Sequence, residues 1–402
     1  MKKILMMAFA VSCMVASTTA CDKKDASSEA PAAAPATEAP AAVDYCSTVT
    51  VESLKAQAKT IDKNGKNVLE DDSYAAILES LQCCKIDEKS FAVDKKSCIT
   101  NEVLDALKKD KILLPSLDSV AAKLAKHESP IVRGKAYSSF SGLFGANAKD
   151  LSIAKDAIKN EKDPYALQEL VAGLTNEGNK DPDVAKFLLD MSKHENKFVR
   201  RKAAIALGNT WSDKVEGAVD AIITMMGDED ENTAKLACAG AGKLNDEKII
   251  EPIVKILNDD SKEKLHGDCM RGLSVMWLDY PFHKNHNEAA YKAAMDYLKK
   301  SPRTNKIPSW NTISAFSTVA NNKGELDNWK KEATWFKQDE FIGILTDLIK
   351  DPNFNWLGKT PAMKAIAAFG GKAELEKIGP VVDGLNDDKV KDAYKKELES
   401  AK

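Results

Sequence analysis

The chain is poor in aromatic residues, in arginine and in catalytic signatures. Aromatics make up 6% of its 402 residues, and 53 lysines stand against five arginines. The formal net charge is only −3, and removing the two lysines of the first twenty residues takes it to −5. An acidic, arginine-poor chain has little to offer a phosphate backbone, so nucleic acid is excluded as an expected partner. The sequence holds no G-x-S-x-G, no H-E-x-x-H, no G-x-x-x-x-G-K-[ST] and no C-x-x-C. Serine hydrolase, zincin, P-loop and dithiol-redox chemistry each lose their usual signature. Carboxylates are plentiful, but without a fixed spacing they point to solvated faces. No enzyme activity, cofactor or resident metal is expected.

The one long apolar run is Ile4 to Ala16, which follows Lys2 and Lys3 and precedes the small residues Ser17 to Ala20. A basic start, thirteen apolar residues and a small-residue stretch form a secretory signal, too short to span a bilayer permanently. Thr18, Thr19, Ala20 and Cys21 resemble a bacterial lipobox, with Thr18 where leucine is usual. The resemblance implies cleavage before Cys21 and a lipid on its thiol, placing the protein in the bacterial envelope, in the periplasm or at the cell surface. Residues 22–43 are Asp, Lys, Ser, Glu, Ala and Pro with hardly any apolar bulk, a composition that cannot offset the entropy of ordering. They read as a disordered tether.

Six further cysteines remain, and an even number in an exported chain reads as three bridges. Cys46, Cys83, Cys84 and Cys98 fall within 53 residues, between helical stretches at 50–61, 72–83 and 100–109, the last opened by Thr100. We take residues 44–113 as a small helical subdomain stapled by two disulfides. Adjacent Cys83 and Cys84 pair elsewhere, so Cys46 takes one and Cys98 the other. Cys238 and Cys269, 31 residues apart, sit early in the second helices of successive repeats and either form a third bridge or remain two buried thiols. In DKNGKNVLEDD, beginning at Asp62, Gly65 comes two positions too early for a calcium loop, which leaves a helix-ending turn.

From Leu114 onward the chain repeats. VAKFLLDMSKHENKFVRRKAAIALG, residues 184–208, reads as a helix, a polar turn and a second helix, each with one apolar face. Similar polar breaks begin at 127, 161, 194, 228 and 259, with spacings of 34, 33, 34 and 31 residues. So short a unit cannot bury both stripes alone and must stack on copies of itself. The second helices are crowded with small residues, among them Gly134, Ala203, Ala237, Gly240 and Gly272, which allow close approach between neighbours. The class is therefore all-α: an α-solenoid of stacked helix-turn-helix repeats over 114–402, preceded by the small stapled subdomain.

HENKFVRRKAAIALG resembles the HEAT-repeat family, an armadillo-type α-solenoid, with Val-Arg opening the second helix and Leu-Gly closing it. The turn acid or amide matches at Asp163, Asn196, Asp230 and Asp259, and the helix arginine at Arg133 and Arg200 alone. The resemblance covers about residues 114–275. It implies a scaffold that binds another macromolecule, with an incomplete ladder between turn acids and helix bases.

Beyond Asp279 the units lengthen, loops such as 321–340 are inserted, and aromatics gather. Trp277, Tyr280, Phe282, Trp329 and Trp335 are expected to lie on loops and form a recognition patch for a protein or peptide. His283 and His286 are the one close histidine pair. Without an evident third ligand they are not assigned a metal. A rival reading makes this region the pocket of an envelope enzyme or cofactor carrier, and a third reading makes the chain a passive spacer.

Overall fold

A computed structural model of the chain describes residues 44–140, 152–176, 181–278, 286–300 and 323–401. The signal segment, the tether, Cys21, Tyr280, Phe282 and His283 lie outside them. Residues Tyr45–Lys402 form one compact unit. Among the described residues no helix is long and apolar enough to cross a membrane.

The unit opens with α1 Tyr45–Thr48, α2 Val51–Ala56, a hairpin of β1 Thr60–Lys63 and β2 Lys66–Leu69, and α3 Asp71–Glu79. A second hairpin, β3 Ile86–Asp87 and β4 Ala92–Val93, precedes α4 Ile99–Lys109. The expected all-helical subdomain thus carries two small antiparallel hairpins. The helix expected over 50–61 ends at Ala56, and residues 60–63 are a strand because Asn64 and Gly65, at φ 58° and 75°, turn the chain back to pair β1 with β2. Asn-Gly supplies the two positive φ values that a two-residue hairpin turn demands. The segment at Asp62 is therefore a hairpin turn and not a helix end, and the Asp62 carboxylate accepts from the Gly65 amide at 2.7 Å. Thr100 lies inside α4, which Cys98 opens. The Thr100 hydroxyl instead bonds that of buried Ser80 at 2.7 Å.

Cys46 pairs with Cys83 and Cys84 with Cys98, closing separations of 37 and 14 residues. Cys238 pairs with Cys269, their Cα atoms 4.5 Å apart. A crosslink across a 14-residue separation removes unfolded-chain entropy equivalent to about 3 kcal/mol on the loop-closure model.

The repeats follow as helix pairs: α5 Asp118–Leu124 with α6 Pro130–Tyr137, α7 Ser152–Asn160 with α8 Pro164–Gly173, and α9 Pro182–Met191 with α10 Lys197–Leu207. Next come α11 Ala218–Met225 with α12 Glu231–Ala241, and α13 Ile250–Leu257 with α14 Glu263–Leu278. Second helices pack on second helices from α6 through α14. The turn residues act as N-caps. Asp163 accepts from the amides of Tyr165 and Ala166, Asn196 from Phe198, and Asp230 from Thr233, at 2.8 to 3.1 Å. Each satisfies amides that a helix start leaves without partners.

The small residues allow the expected close approach. A Cβ at Gly272 would stand 2.3 Å from the carbonyl oxygen of Cys238, and one at Gly208 would stand 2.8 Å from the Cα of Gly240. No side chain fits at either contact.

Arginine forks tie two of the turns to the turns that follow them. Arg133 grips Glu161 through Nε and Nη2 at 2.7 and 3.0 Å, while its Nη1 donates to the carbonyls of His127 and Glu128. Arg200 repeats this on Asp228, at 2.7 and 2.9 Å, and on the carbonyls of His194 and Glu195. Arg201 adds a fork to Asp230 at 2.7 and 2.6 Å. His127 and His194 serve the same turns, each accepting through Nδ1 from the amide two residues on.

The chain continues with α15 Glu288–Lys300, α16 Lys323–Glu332, α17 Gln338–Lys350, α18 Trp356–Lys377, α19 Gly379–Asp383 and α20 Asp388–Ser400. α18 is two helices joined at Gly371, whose φ of 76° breaks the helical path.

The Arg201 fork holds the Asp230 carboxyl well below the usual carboxylate range, and hydrogen bonds from Thr233 act the same way. A carboxylate with a lowered folded pKa contributes stability that is present above its unfolded value, near 4, and is lost as pH falls towards the folded one. Arg201→Ala should therefore cost about 2 kcal/mol at pH 7. Measured by urea unfolding, that penalty should shrink steadily below pH 4.

Candidate functional site

The recognition patch expected at Trp277, Trp329 and Trp335 is a core. Trp277 is fully buried, Trp329 is 6% exposed and Trp335 is half-buried. Trp277 occupies the last turn of α14 and Trp329 lies within α16, so neither is on a loop. The Trp277 ring meets Tyr291, Trp329 and Phe341 at 5.0, 5.9 and 5.9 Å between centroids. The Trp329 indole N–H donates to the Trp277 carbonyl at 2.9 Å. Phe336 and Phe369 close the cluster from α17's approach and from α18. Where lengthened units cannot stack on small residues, large rings fill the space between α14, α15, α16, α17 and α18. Burial pushes the Tyr291 phenol up to about 12, and its hydroxyl has no hydrogen-bond partner.

His286 meets the Glu332 carboxylate at 2.6 Å, a partner 46 residues away that local sequence could not supply. Among the described residues no three His, Cys, Asp or Glu side chains come close enough to hold a metal.

The surface that the repeats do present is the open side of the second helices. On α10 the residues left out of the core are Lys197, Arg201, Lys202 and Ile205, at steps that keep them on one face. Ile205 is 44% exposed. Leu236 on α12 is half-buried, and Val275 on α14, also half-buried, packs beside Gly242. Charges alternate around them. Glu231 binds Lys235 at 2.6 Å and Lys264 at 3.0 Å. Burial raises the Glu169 carboxyl above its ordinary value, with Lys202 and Lys135 opposing the shift. Asp268 is raised by burial in the same way, opposed by Lys235 and Arg271.

One end of this face is occupied by the chain itself. Phe91, from the loop between β3 and β4, stacks on Phe198 of α10 at 4.7 Å and 14°, and meets the edge of Tyr165 of α8 at 6.0 Å. Gln168 Nε2 donates to the Phe91 carbonyl at 2.5 Å. Lys197 and Arg201 lie over the Phe198 ring at 5.3 and 4.7 Å. Sequence reasoning missed this contact. The available signal was a lone aromatic in KIDEKSFAVDKKS, a polar segment closed by two cysteines, which has nothing of its own to pack against.

The model of the HEAT repeats family matches residues 186–273. Residues 186–273 are HEAT repeats. The match runs from within α9 to within α14 and takes in the Arg200 and Arg201 forks, the cap at Asp230 and the Cys238–Cys269 bridge. No curated protein sequence matches the chain closely enough to count as a relative. Among solved structures, YibA of Escherichia coli is similar at 13% identity, with 87% of this chain and 95% of that one covered and a TM-score of 0.34. Human deoxyhypusine hydroxylase in complex with glycerol is similar at 15% identity, covering 70% and 94%, at a TM-score of 0.27. An engineered protein follows at 12% identity, covering 71% and 96%, at 0.22. Scores this low carry no argument about function, and the assignment of the HEAT repeats rests on the family match and the repeat geometry.

Trp277→Ala should cost about 4 kcal/mol in urea unfolding, the usual loss for truncating a fully buried tryptophan. A surface tryptophan would cost a small fraction of that.

Proposed function

We propose that the chain is an exported, lipid-anchored scaffold that binds a protein or peptide through its HEAT repeats in the bacterial envelope, without a catalytic role of its own. The observation that carries the binding half is the open face of α8 to α14. It combines exposed Ile205 and half-buried Leu236 with paired charges, and it already holds an aromatic side chain from a distant segment of the chain. Interfaces of this kind bind through a few buried aromatic or aliphatic anchors within a polar rim.

The address is supported by chemistry at both levels. Cys46, Cys83, Cys84, Cys98, Cys238 and Cys269 are all placed for pairing, and disulfides persist in oxidising compartments. Residues 2–21 have the layout of a lipoprotein signal, with Cys21 as the acceptor. A diacylated Cys21 and a following tether of low complexity would hold the repeats near a membrane surface while leaving the open face free.

Two experiments test this. Cys21→Ala should move the protein from the membrane to the soluble fraction of fractionated cells, and retention in the membrane would remove the anchor from the proposal. Crosslinking and affinity capture of the anchored protein from intact cells should recover one discrete partner. Its loss on changing Ile205 and Leu236 to Asp, in a chain that keeps its helical circular dichroism, would place the contact on the open face. Recovery of no partner would leave the envelope-enzyme and passive-spacer readings.

A further inference from the structure

We propose that the Tyr165–Gln168–Phe198 end of the open face is a recognition site for a hairpin turn bearing one aromatic side chain, and that the Cys84–Cys98 loop occupies it in the free protein. This rests on the reading of the HEAT repeats as a binding surface and names the ligand class at one part of it.

The site has what such a turn needs. Phe198 offers a flat ring to stack on and Tyr165 an edge beside it. Gln168, itself 3% exposed, aims an amide N–H at a backbone carbonyl. A side chain that is buried yet donates to a main-chain carbonyl in a turn 77 residues away holds that turn through its backbone, whatever the side chain it carries.

The occupant is built to leave. Its strands are two residues each, and it touches the body through Ile86, Phe91 and Val93 while residues 87–90 and 95–97 are exposed. A two-stranded ribbon of this size has little stability of its own. Phe91 sits at φ 52°, in the left-handed region that a bulky side chain seldom adopts. Such strain persists only where surrounding contacts over-determine it. The disulfide at the roots, Cys84 to Cys98, keeps the loop attached when it lifts, so release needs no unfolding of the repeats.

The test uses the full chain and a labelled synthetic peptide copying residues 84–98, cyclised through its own Cys84–Cys98 disulfide. By fluorescence anisotropy the Phe91→Ala chain should bind this peptide at least tenfold more tightly than the unaltered chain. The same peptide carrying Phe91→Ala should bind neither. Equal affinity for both chains, or binding that ignores the aromatic, overturns the proposal. So does loss of cooperative melting in the Phe91→Ala chain, because Phe91 would then be core and not a displaceable occupant. Capture from intact cells separates this from the scaffold reading: a partner recovered equally by both chains leaves the scaffold standing and removes the loop's competition.

Discussion

The repeat array depends on a fork of two hydrogen bonds that crosses from one turn to the next. Arg133 and Arg200 each close their own turn by binding two of its carbonyls, then grip a carboxylate 28 residues on. One planar guanidinium thus fixes both the shape of a repeat and its offset from the neighbour, a task a lysine's point charge does less well. The five arginines of the chain look few against 53 lysines, yet three of them are spent on this one purpose.

At the equivalent positions in the intervening repeats stand Leu167 and Ala234, and other devices take over there. Lys155 reaches Asp181 at 2.8 Å between first helices, and Asp181 also caps α9. Between α10 and α14 the second helices approach until glycine faces glycine or a carbonyl, and the Cys238–Cys269 bridge joins two of them. Beyond α14 the rings around Trp277 replace both devices. The same architecture is held by electrostatics, by close packing and then by aromatic bulk along its length.

Most of this array was legible in the sequence, because its causes are local and periodic. The spacing of the polar breaks marked the repeats, and Asp163, Asn196 and Asp230 marked the helix starts before any cap was seen. Adjacency of Cys83 and Cys84 sent one to Cys46 and the other to Cys98, but which went where is seen only in the structure. What failed was non-local or misjudged by context. Asn64-Gly65 is a strong hairpin signal that the surrounding helical pattern overrode. Trp277 and Trp329 looked exposed because the units around them were irregular, but irregular spacing opens volume between helices and large rings are what fill it. Phe91 and its partners are more than 70 residues apart, and no local pattern could join them.

The Cys238–Cys269 bridge has a mechanical consequence. A solenoid held by contacts between neighbours alone yields under tension wherever one interface is weakest, and its pieces peel apart in sequence. A covalent bond between α12 and α14 removes that junction from competition and confines the 30 residues between the two cysteines to a loop that cannot extend. Pulled by its ends, the chain would lengthen by less than its contour and give way on either side of this clamp, leaving the C-terminal end of the HEAT repeats as the last part to be drawn out.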